Sequence, residues 1–293
     1  MFWTAALLGV GCQPFERVAA SAIVNAPNRG TSFRGRVDGE LFVSVGPPNA
    51  TLSVEVVDAK EPRGTVFLLH GIRADKESIR GWAKWLAAAG FRAVLVDLRG
   101  HGRSTGDYLS YGVVESRDLA QTLDALETRG LRVGAVGVMG FSYGAATAIE
   151  WAGNDPRIRA VIAVAPFASL RKVVPGYTVV PLPESFVNEA IDLAGAQGGF
   201  DPDEASPMLA NRRTRAQVLL VHGLNDDRIP PWHSWLIFAA GRDHSKILFV
   251  PGEGHFSIAD APVVRERATA WFAEYLRDGP ADHAPSLQSD APH

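Results

Sequence analysis

The stretch that most constrains this chain is residues 133–151, where an apolar run leads into a glycine-bracketed turn and then into a helical run of small residues. The turn, residues 140–144, reads GFSYG and so has the pattern G-x-S-x-G around Ser142. A strand that meets a helix this abruptly crowds its own backbone, and glycine on each side of the serine relieves that crowding. The pattern predicts a serine hydroxyl exposed at the end of a buried strand, in front of a helix N-terminus.

Apolar runs suited to buried strands alternate with segments of helical spacing along most of the chain. Strands are predicted at residues 40–45, 52–57, 65–70, 93–97, 133–139, 161–165, 218–221 and 247–250. Helices are predicted at residues 79–89, 114–126, 145–151, 235–240 and 264–276. The first two strands are joined by a short turn and should be antiparallel. The alternation of the others predicts an α/β fold with a mostly parallel eight-stranded sheet covered by helices on both faces.

Four further motifs surround the serine turn in a fixed order. They are HGI at residues 70–72, DLRGHGRS at 97–104, HGLND at 222–226 and GEGHF at 252–256. With the serine turn, over about residues 40–276, they resemble the α/β-hydrolase superfamily, whose catalytic residues follow the chain order Ser, Asp, His. The resemblance extends to its esterase, lysophospholipase and serine aminopeptidase-like members, and it implies the α/β-hydrolase fold.

A catalytic triad is the first site that the resemblance implies. Ser142 would be the nucleophile, and His255 would be the base that takes its proton. Two adjacent aspartates compete for the third place, and the segment 222–230 resembles the family pattern H-G-x-x-D-x-x-V-P, which selects Asp226 over Asp227. Structural roles are expected for the other histidines of these motifs: His70, His101 and His222.

An oxyanion hole is the second implied site. The residue after the nucleophile supplies one backbone N–H, here Tyr143, and the loop after the third strand supplies the other, here Ile72. Arg73 follows directly, and we expect its side chain to face solvent rather than the substrate pocket.

The chain divides into three parts. Residues 1–30 are a lead-in, residues 31–277 the hydrolase domain, and residues 278–293 a polar, proline-rich tail expected to be disordered. Residues 170–206, broken by prolines and glycines but able to form a helix at 184–196, lie before the seventh strand, where the family inserts a small cap.

The lead-in allows two interpretations. Residues 1–11 are apolar and uncharged, and Gly11 precedes Cys12, the only cysteine. This resembles a lipoprotein signal, so Cys12 would carry a lipid that holds the enzyme at a membrane outside the cytoplasm. The alternative is a frayed or surface-packed N-terminus of a cytoplasmic enzyme, and its support is that the segment lacks the positively charged start of a secretory signal.

Composition and motifs limit the classes of partner and cofactor that we expect for this protein. A net charge of −3 and a pI near 6.2 give no basic footprint for nucleic acid. Metal-ligand motifs, a P-loop and a G-x-G-x-x-G motif are all missing from the sequence, so no cofactor or metal is expected.

The predicted function is a serine hydrolase that cleaves small carboxylic esters through an acyl-enzyme, with ester substrates (EC 3.1.1) favoured over peptides (EC 3.4). Amide, peptide or thioester hydrolysis with the same triad is an alternative. A catalytically silent hydrolase fold used for binding is another. The sequence points to no particular acyl chain length or oligomeric state.

Overall fold

The computed structural model describes residues 15–31, 35, 38–178 and 181–277. The lipoprotein interpretation of Cys12 and the predicted disordered tail fall on residues outside these ranges. Among the helices that the structure describes, none has the length and apolar character needed to cross a membrane.

Eight strands form a single sheet in the spatial order β1-β2-β4-β3-β5-β6-β7-β8. Their bounds are Glu40–Val45 (β1), Ala50–Val57 (β2), Gly64–Leu69 (β3), Arg92–Val96 (β4), Ala135–Phe141 (β5), Ile158–Val164 (β6), Gln217–Gly223 (β7) and Ser245–Val250 (β8). The second strand pairs antiparallel with both of its neighbours, and the pairs from β4 to β8 are parallel. The predicted mostly parallel eight-stranded sheet is confirmed.

Helices cover both faces of this sheet. Their bounds are Phe15–Val24 (α1), Arg80–Ala88 (α2), Val113–Thr128 (α3), Tyr143–Asn154 (α4), Leu170–Val173 (α5), Glu184–Gly198 (α6), Pro207–Arg213 (α7), Trp232–Ala240 (α8) and Pro262–Tyr275 (α9). The helices α2 and α9 pack on one face, and α1, α3, α4 and α6 on the other. On the α9 side, a Cβ at Gly137 would lie 2.7 Å from the ring of Phe272, so glycine lets this helix approach the sheet closely.

The N-terminal helix α1 packs into the hydrolase core. Ala19, Ala20 and Val24 on this helix are fully buried. The helix lies against α6, where Ser21 Oγ and Gln197 Oε1 are 3.3 Å apart and Gln197 Nε2 donates to Asn25 Oδ1 at 3.2 Å. Residues 15–24, which the sequence assigns to a lead-in, therefore share a core with the rest of the molecule.

The segment between β6 and β7 contains the predicted additional helix. The helix α6 begins at Glu184, as expected, and ends at Gly198 rather than at residue 196. A short helix, α5, and a 3₁₀ turn at Val174–Tyr177 precede it. Val173, Val174 and Tyr177 of this segment face the cavity described below.

Candidate active site

Ser142 lies at the junction between β5 and α4 in a strained conformation. Its φ of 53° and ψ of −112° fall where residues with a side chain are rarely found. The flanking glycines are required by close contacts, since a Cβ on Gly140 would collide with the carbonyl oxygen of Gly144, and one on Gly144 with that of Leu69. The turn therefore projects the serine hydroxyl away from the sheet.

The three residues predicted for a triad are joined in a row, with His255 within hydrogen-bonding distance of both Ser142 and Asp226. Ser142 Oγ is 3.0 Å from His255 Nε2, and His255 Nδ1 is 2.7 Å from Asp226 Oδ2. Asp226 is buried, whereas Asp227 is exposed, and within the described part of the chain no hydrogen bond joins Asp227 to His255. The arrangement matches the one in which a carboxylate orients a histidine and the histidine faces a serine.

The carboxylate of Asp226 is held by several donors. The backbone amides of Arg228 and Ile229 donate to Oδ1 at 3.0 and 2.9 Å. Burial opposes its ionisation, but the interactions with His222 and His255 and the amide of Ile229 outweigh burial and hold the pKa of Asp226 well below its usual range. An ionised Asp226 accepts the Nδ1 hydrogen of His255, which leaves Nε2 free to accept a proton from Ser142.

The two candidate oxyanion donors flank Ser142. Ile72 and Tyr143 line the same cavity as the serine, and a Cβ built on Gly71 would lie 3.7 Å from the Cβ of Ser142. Among the described residues, neither the Ile72 nor the Tyr143 amide donates to another protein group. Both are therefore available to an oxyanion formed beside the serine.

His70 orients the peptide that carries the Ile72 amide. The amide of Leu98 lies 3.0 Å from Nε2 and can only donate, so Nδ1 bears the hydrogen and donates to the carbonyl of Gly71 at 2.8 Å. Burial and the neighbouring His101 lower the pKa of His70 to about 3, so it stays neutral. Because the carbonyl and the next N–H of one peptide point in opposite directions, this bond turns the Ile72 N–H away from His70.

A cavity that is open to solvent lies beside Ser142. Its walls come from α1, the loops after β3 and β6, and the turn before α3. The residues that line it are Ala22, Ile23, Asn25, Ile72, Arg73, Leu109, Tyr111, Ser142, Tyr143, Phe167, Val173, Val174, Tyr177, Thr178 and Ile229. The set is mainly apolar, as expected of a site for a hydrocarbon group.

Two members of this wall add to what the sequence predicts. Arg73 is exposed, as expected, and it is also one of the residues that line the cavity. It has a φ of 62°, and this left-handed conformation turns the chain directly after Ile72. Ile23 was not predicted as a site residue, yet its carbonyl accepts a 2.7 Å hydrogen bond from the Tyr111 hydroxyl on the opposite wall.

The fold and the serine–histidine–aspartate geometry define this protein as an α/β hydrolase. Residues 78–279 match the prolyl oligopeptidase family, and this match spans more than half of the chain. The chain therefore belongs to the prolyl oligopeptidase family of serine hydrolases.

Individual relatives are distant. A monoacylglycerol lipase of Mycolicibacterium smegmatis is 27% identical over 282 residues, which cover 80% of this chain and 96% of the lipase. The uncharacterized protein YqkD of Bacillus subtilis is 25% identical over 207 residues, which cover 67% of this chain and 65% of YqkD. This match therefore leaves about a third of YqkD without a counterpart.

Solved structures share the fold at low identity. The esterase Pf2001 of Pyrococcus furiosus superposes with a TM-score of 0.66 at 18% identity, covering 85% of this chain and 99% of the esterase. A puromycin-hydrolyzing peptidase of Mycobacterium tuberculosis gives a TM-score of 0.62 at 21% identity, covering 81% of this chain and 39% of the peptidase. At sequence identities of 18% and 21%, these superpositions show a shared fold and nothing about substrate.

Proposed function

We propose that this protein hydrolyses carboxylic esters of apolar acids through a covalent acyl-enzyme. The observation that carries the proposal is the relay from Asp226 through His255 to Ser142, which opens onto a mainly apolar cavity. Ser142 is the nucleophile, His255 the general base and acid, and Asp226 the orienting carboxylate. The segment 170–206 serves as a small cap, because its residues Val173, Val174 and Tyr177 wall the cavity.

The reaction proceeds in two halves. Ser142 Oγ attacks the ester carbonyl carbon while His255 Nε2 takes the hydroxyl proton, and the amides of Ile72 and Tyr143 donate to the resulting oxyanion. Collapse of this intermediate breaks the bond to the alcohol oxygen, which leaves with the proton held by His255. Water, deprotonated by His255, then attacks the acyl-serine, releases the acid and restores the Ser142 hydroxyl.

Amide or peptide hydrolysis is the second candidate, and the family match favours it, since this family takes its name from a peptidase. The cavity argues for esters instead. Among the described residues that line it, none is acidic, so that wall offers no carboxylate to pair with the α-ammonium group of an aminopeptidase substrate. The monoacylglycerol lipase relative and the esterase Pf2001 act on esters by name, which supports the same choice.

Parallel substrate panels test the proposal. Initial rates are measured with p-nitrophenyl esters of two to twelve carbons and with aminoacyl- and acylaminoacyl-anilides, using Ser142→Ala as the blank. We expect kcat/KM for the best ester to exceed that for the best anilide by about a hundredfold or more. A preference for anilides would move the protein to peptide chemistry. Failure of a fluorophosphonate probe to label Ser142 would indicate a silent binding fold.

A further inference from the structure

A second histidine, His222, lies directly behind the candidate triad acid. It is fully buried at the carboxyl end of β7, four residues before Asp226. Its Nε2 is 2.7 Å from the carbonyl oxygen of Ile229 and 3.2 Å from Asp226 Oδ2. Its Nδ1 is 2.6 Å from the hydroxyl oxygen of Ser234, which is also buried. Both ring nitrogens therefore have protein partners.

These partners determine which nitrogen of the His222 ring carries a hydrogen. A carbonyl oxygen can only accept, so Nε2 carries a hydrogen whether the imidazole is neutral or charged. Ser234 adapts to either state, because a hydroxyl both donates and accepts. The hydrogen-bearing Nε2 is the nitrogen of His222 that faces Asp226, so Oδ2 of this carboxylate lies close to a partial positive charge from His222 as well as from His255.

His222 also holds the turn that carries Asp226. Both backbone polar groups of Ile229 form hydrogen bonds here: its carbonyl accepts from His222, and its amide donates to Asp226 Oδ1 at 2.9 Å. The chain from β7 to Ile229 is thus closed into a ring of hydrogen bonds around the carboxylate. Loss of His222 would free one side of that ring.

We infer that His222 is a positioning residue that acts through Asp226. It anchors the turn 226–229, and its Nε2 hydrogen shares the carboxylate's charge with His255. The inference rests on the proposed function, because it assumes that Asp226 orients a working base. The other ionisable groups that face Asp226 are His233 and Tyr177, and Arg228 contacts it through its backbone amide.

The direction of the effect follows from charge. When a carboxylate loses one of two neighbouring positive partial charges, its negative charge acts more strongly on the remaining partner and favours the protonated form of that partner. Removal of the partial charge at His222 Nε2 should therefore raise the pKa of His255. At the same time the loosened turn should orient His255 less well, which lowers kcat.

Two substitutions separate these effects from simple loss of packing. His222→Asn keeps an amide near the position of Nδ1, where it can bond Ser234, but removes the Nε2 donor. His222→Gln places an amide nitrogen near the position of Nε2 and should restore the donor. The matched control is His244→Asn, since His244 Nε2 also lies 2.8 Å from a backbone carbonyl oxygen, that of Asn211, but His244 directly precedes β8, at the end of the sheet opposite to Asp226.

Ester kinetics and histidine NMR give the readouts. In His222→Asn we expect kcat/KM to fall about ten- to a hundredfold. The pKa of His255, followed by long-range ¹H–¹⁵N spectra and by the acid limb of kcat/KM, should rise by roughly 0.5 or more. His222→Gln should stay within about threefold of wild type, and His244→Asn should change neither quantity. In wild type, the same spectra should show His222 carrying its hydrogen on Nε2.

Each contrary result overturns the inference. The contrary results are a pKa of His255 that is unchanged or lowered in His222→Asn, an equal rise in His244→Asn, or a wild-type His222 protonated on Nδ1 alone. The tautomer of wild-type His222 decides the question even where His222→Asn does not fold. The NMR readouts need no turnover, so a protein that hydrolyses no ester and resists fluorophosphonate would refute the proposed function while the role of His222 is still decided.

Discussion

The hydroxyl of Tyr143 donates a 2.8 Å hydrogen bond to Oε1 of Glu115, a carboxylate that is completely buried beneath the serine turn. Glu115 also accepts from the backbone amides of Ser110 and Gly112 at 2.9 and 3.0 Å, and from the Ser110 hydroxyl. Tyr143 is the residue whose amide is a candidate oxyanion donor. The side chain of one helix, α3, therefore fixes the first residue of another, α4, directly behind the nucleophile.

Replacement of Glu115 should accordingly affect both stability and rate. Each carboxylate oxygen of Glu115 faces one backbone amide, which can only donate, and one hydroxyl. Glu115→Gln therefore puts an NH₂ group against a backbone amide in either orientation, and a donor left without an acceptor costs about 1–3 kcal/mol. We expect a lower Tm in thermal unfolding and a reduced kcat for a short ester. Tyr143→Phe, which removes one donor and leaves the other three bonds to Glu115, should cost only about 1 kcal/mol. Equal stability of the two variants would contradict this account.

Ser142→Ala should abolish ester hydrolysis and leave the fold intact, because the hydroxyl faces the cavity and its removal unpacks nothing. Loss of a triad nucleophile commonly costs about 10⁴–10⁶ in kcat. Burst and steady-state kinetics with p-nitrophenyl acetate measure the rate, and circular dichroism checks the fold. A variant that keeps about a tenth of wild-type activity would rule out Ser142 as the nucleophile.

The two adjacent aspartates should differ sharply. Asp226→Asn removes the ionised acceptor of the His255 Nδ1 hydrogen and should lower kcat by about 10⁴. Asp227→Asn alters an exposed carboxylate and should stay near the wild-type rate. Both are assayed with one ester at saturation. If the Asp227 variant is damaged as much or more, the orienting carboxylate is misassigned.

The cavity wall contributed by α1 should set the acyl chain length. Ile23→Phe enlarges a residue that lines the cavity, so longer chains should lose about 0.8 kcal/mol, or roughly fourfold in kcat/KM, for each methylene that no longer fits. The rate with acetate should change little. Arg17→Ala, at an exposed position on the same helix, serves as the control across the ester series. A uniform loss over all chain lengths would mean that Ile23 supports the fold and not the pocket.

Glu150 should make stability depend on pH. It is 1% exposed in the middle of α4, and burial raises its pKa to about 8 although Arg213 lies 3.9 Å away. The folded protein therefore holds a proton that the unfolded chain releases above a pKa near 4.5, so this group lowers stability progressively as pH rises from about 4.5 to 8.

Glu150→Gln removes that penalty. The Tm advantage of the variant over wild type should be small at pH 5 and should grow to pH 8, and calorimetry over this range measures it. A constant difference between the two proteins across these pH values would show that Glu150 titrates normally in the fold.

The sequence by itself determined the local parts of this protein. The serine turn was predictable because a strand that runs directly into a helix crowds its own backbone, as the contact of a Cβ on Gly140 with Gly144 shows; the need for glycine at 144 comes instead from Leu69 on β3. The strands from β3 to β8 were predictable because buried parallel strands are continuous apolar runs. Their ends were predicted less well: β5 was expected at residues 133–139 but spans Ala135–Phe141, since pairing with β3 and β6, and not hydrophobicity, sets the bounds.

Tertiary structure alone decided what surrounds the serine. Glu115 sits on the helix expected at 114–126, where nothing in the pattern separates a buried carboxylate from an exposed one. Four donors make its burial possible: three from Ser110 and Gly112 in the loop directly before α3, and one from Tyr143 of α4. Ile23 is 119 positions before Ser142 in the chain (142 − 23 = 119), and only the packing of α1 on α6 brings it to the cavity. The bond of Tyr143 to Glu115 and the approach of Ile23 to the cavity join residues distant in sequence, so no local pattern encodes them.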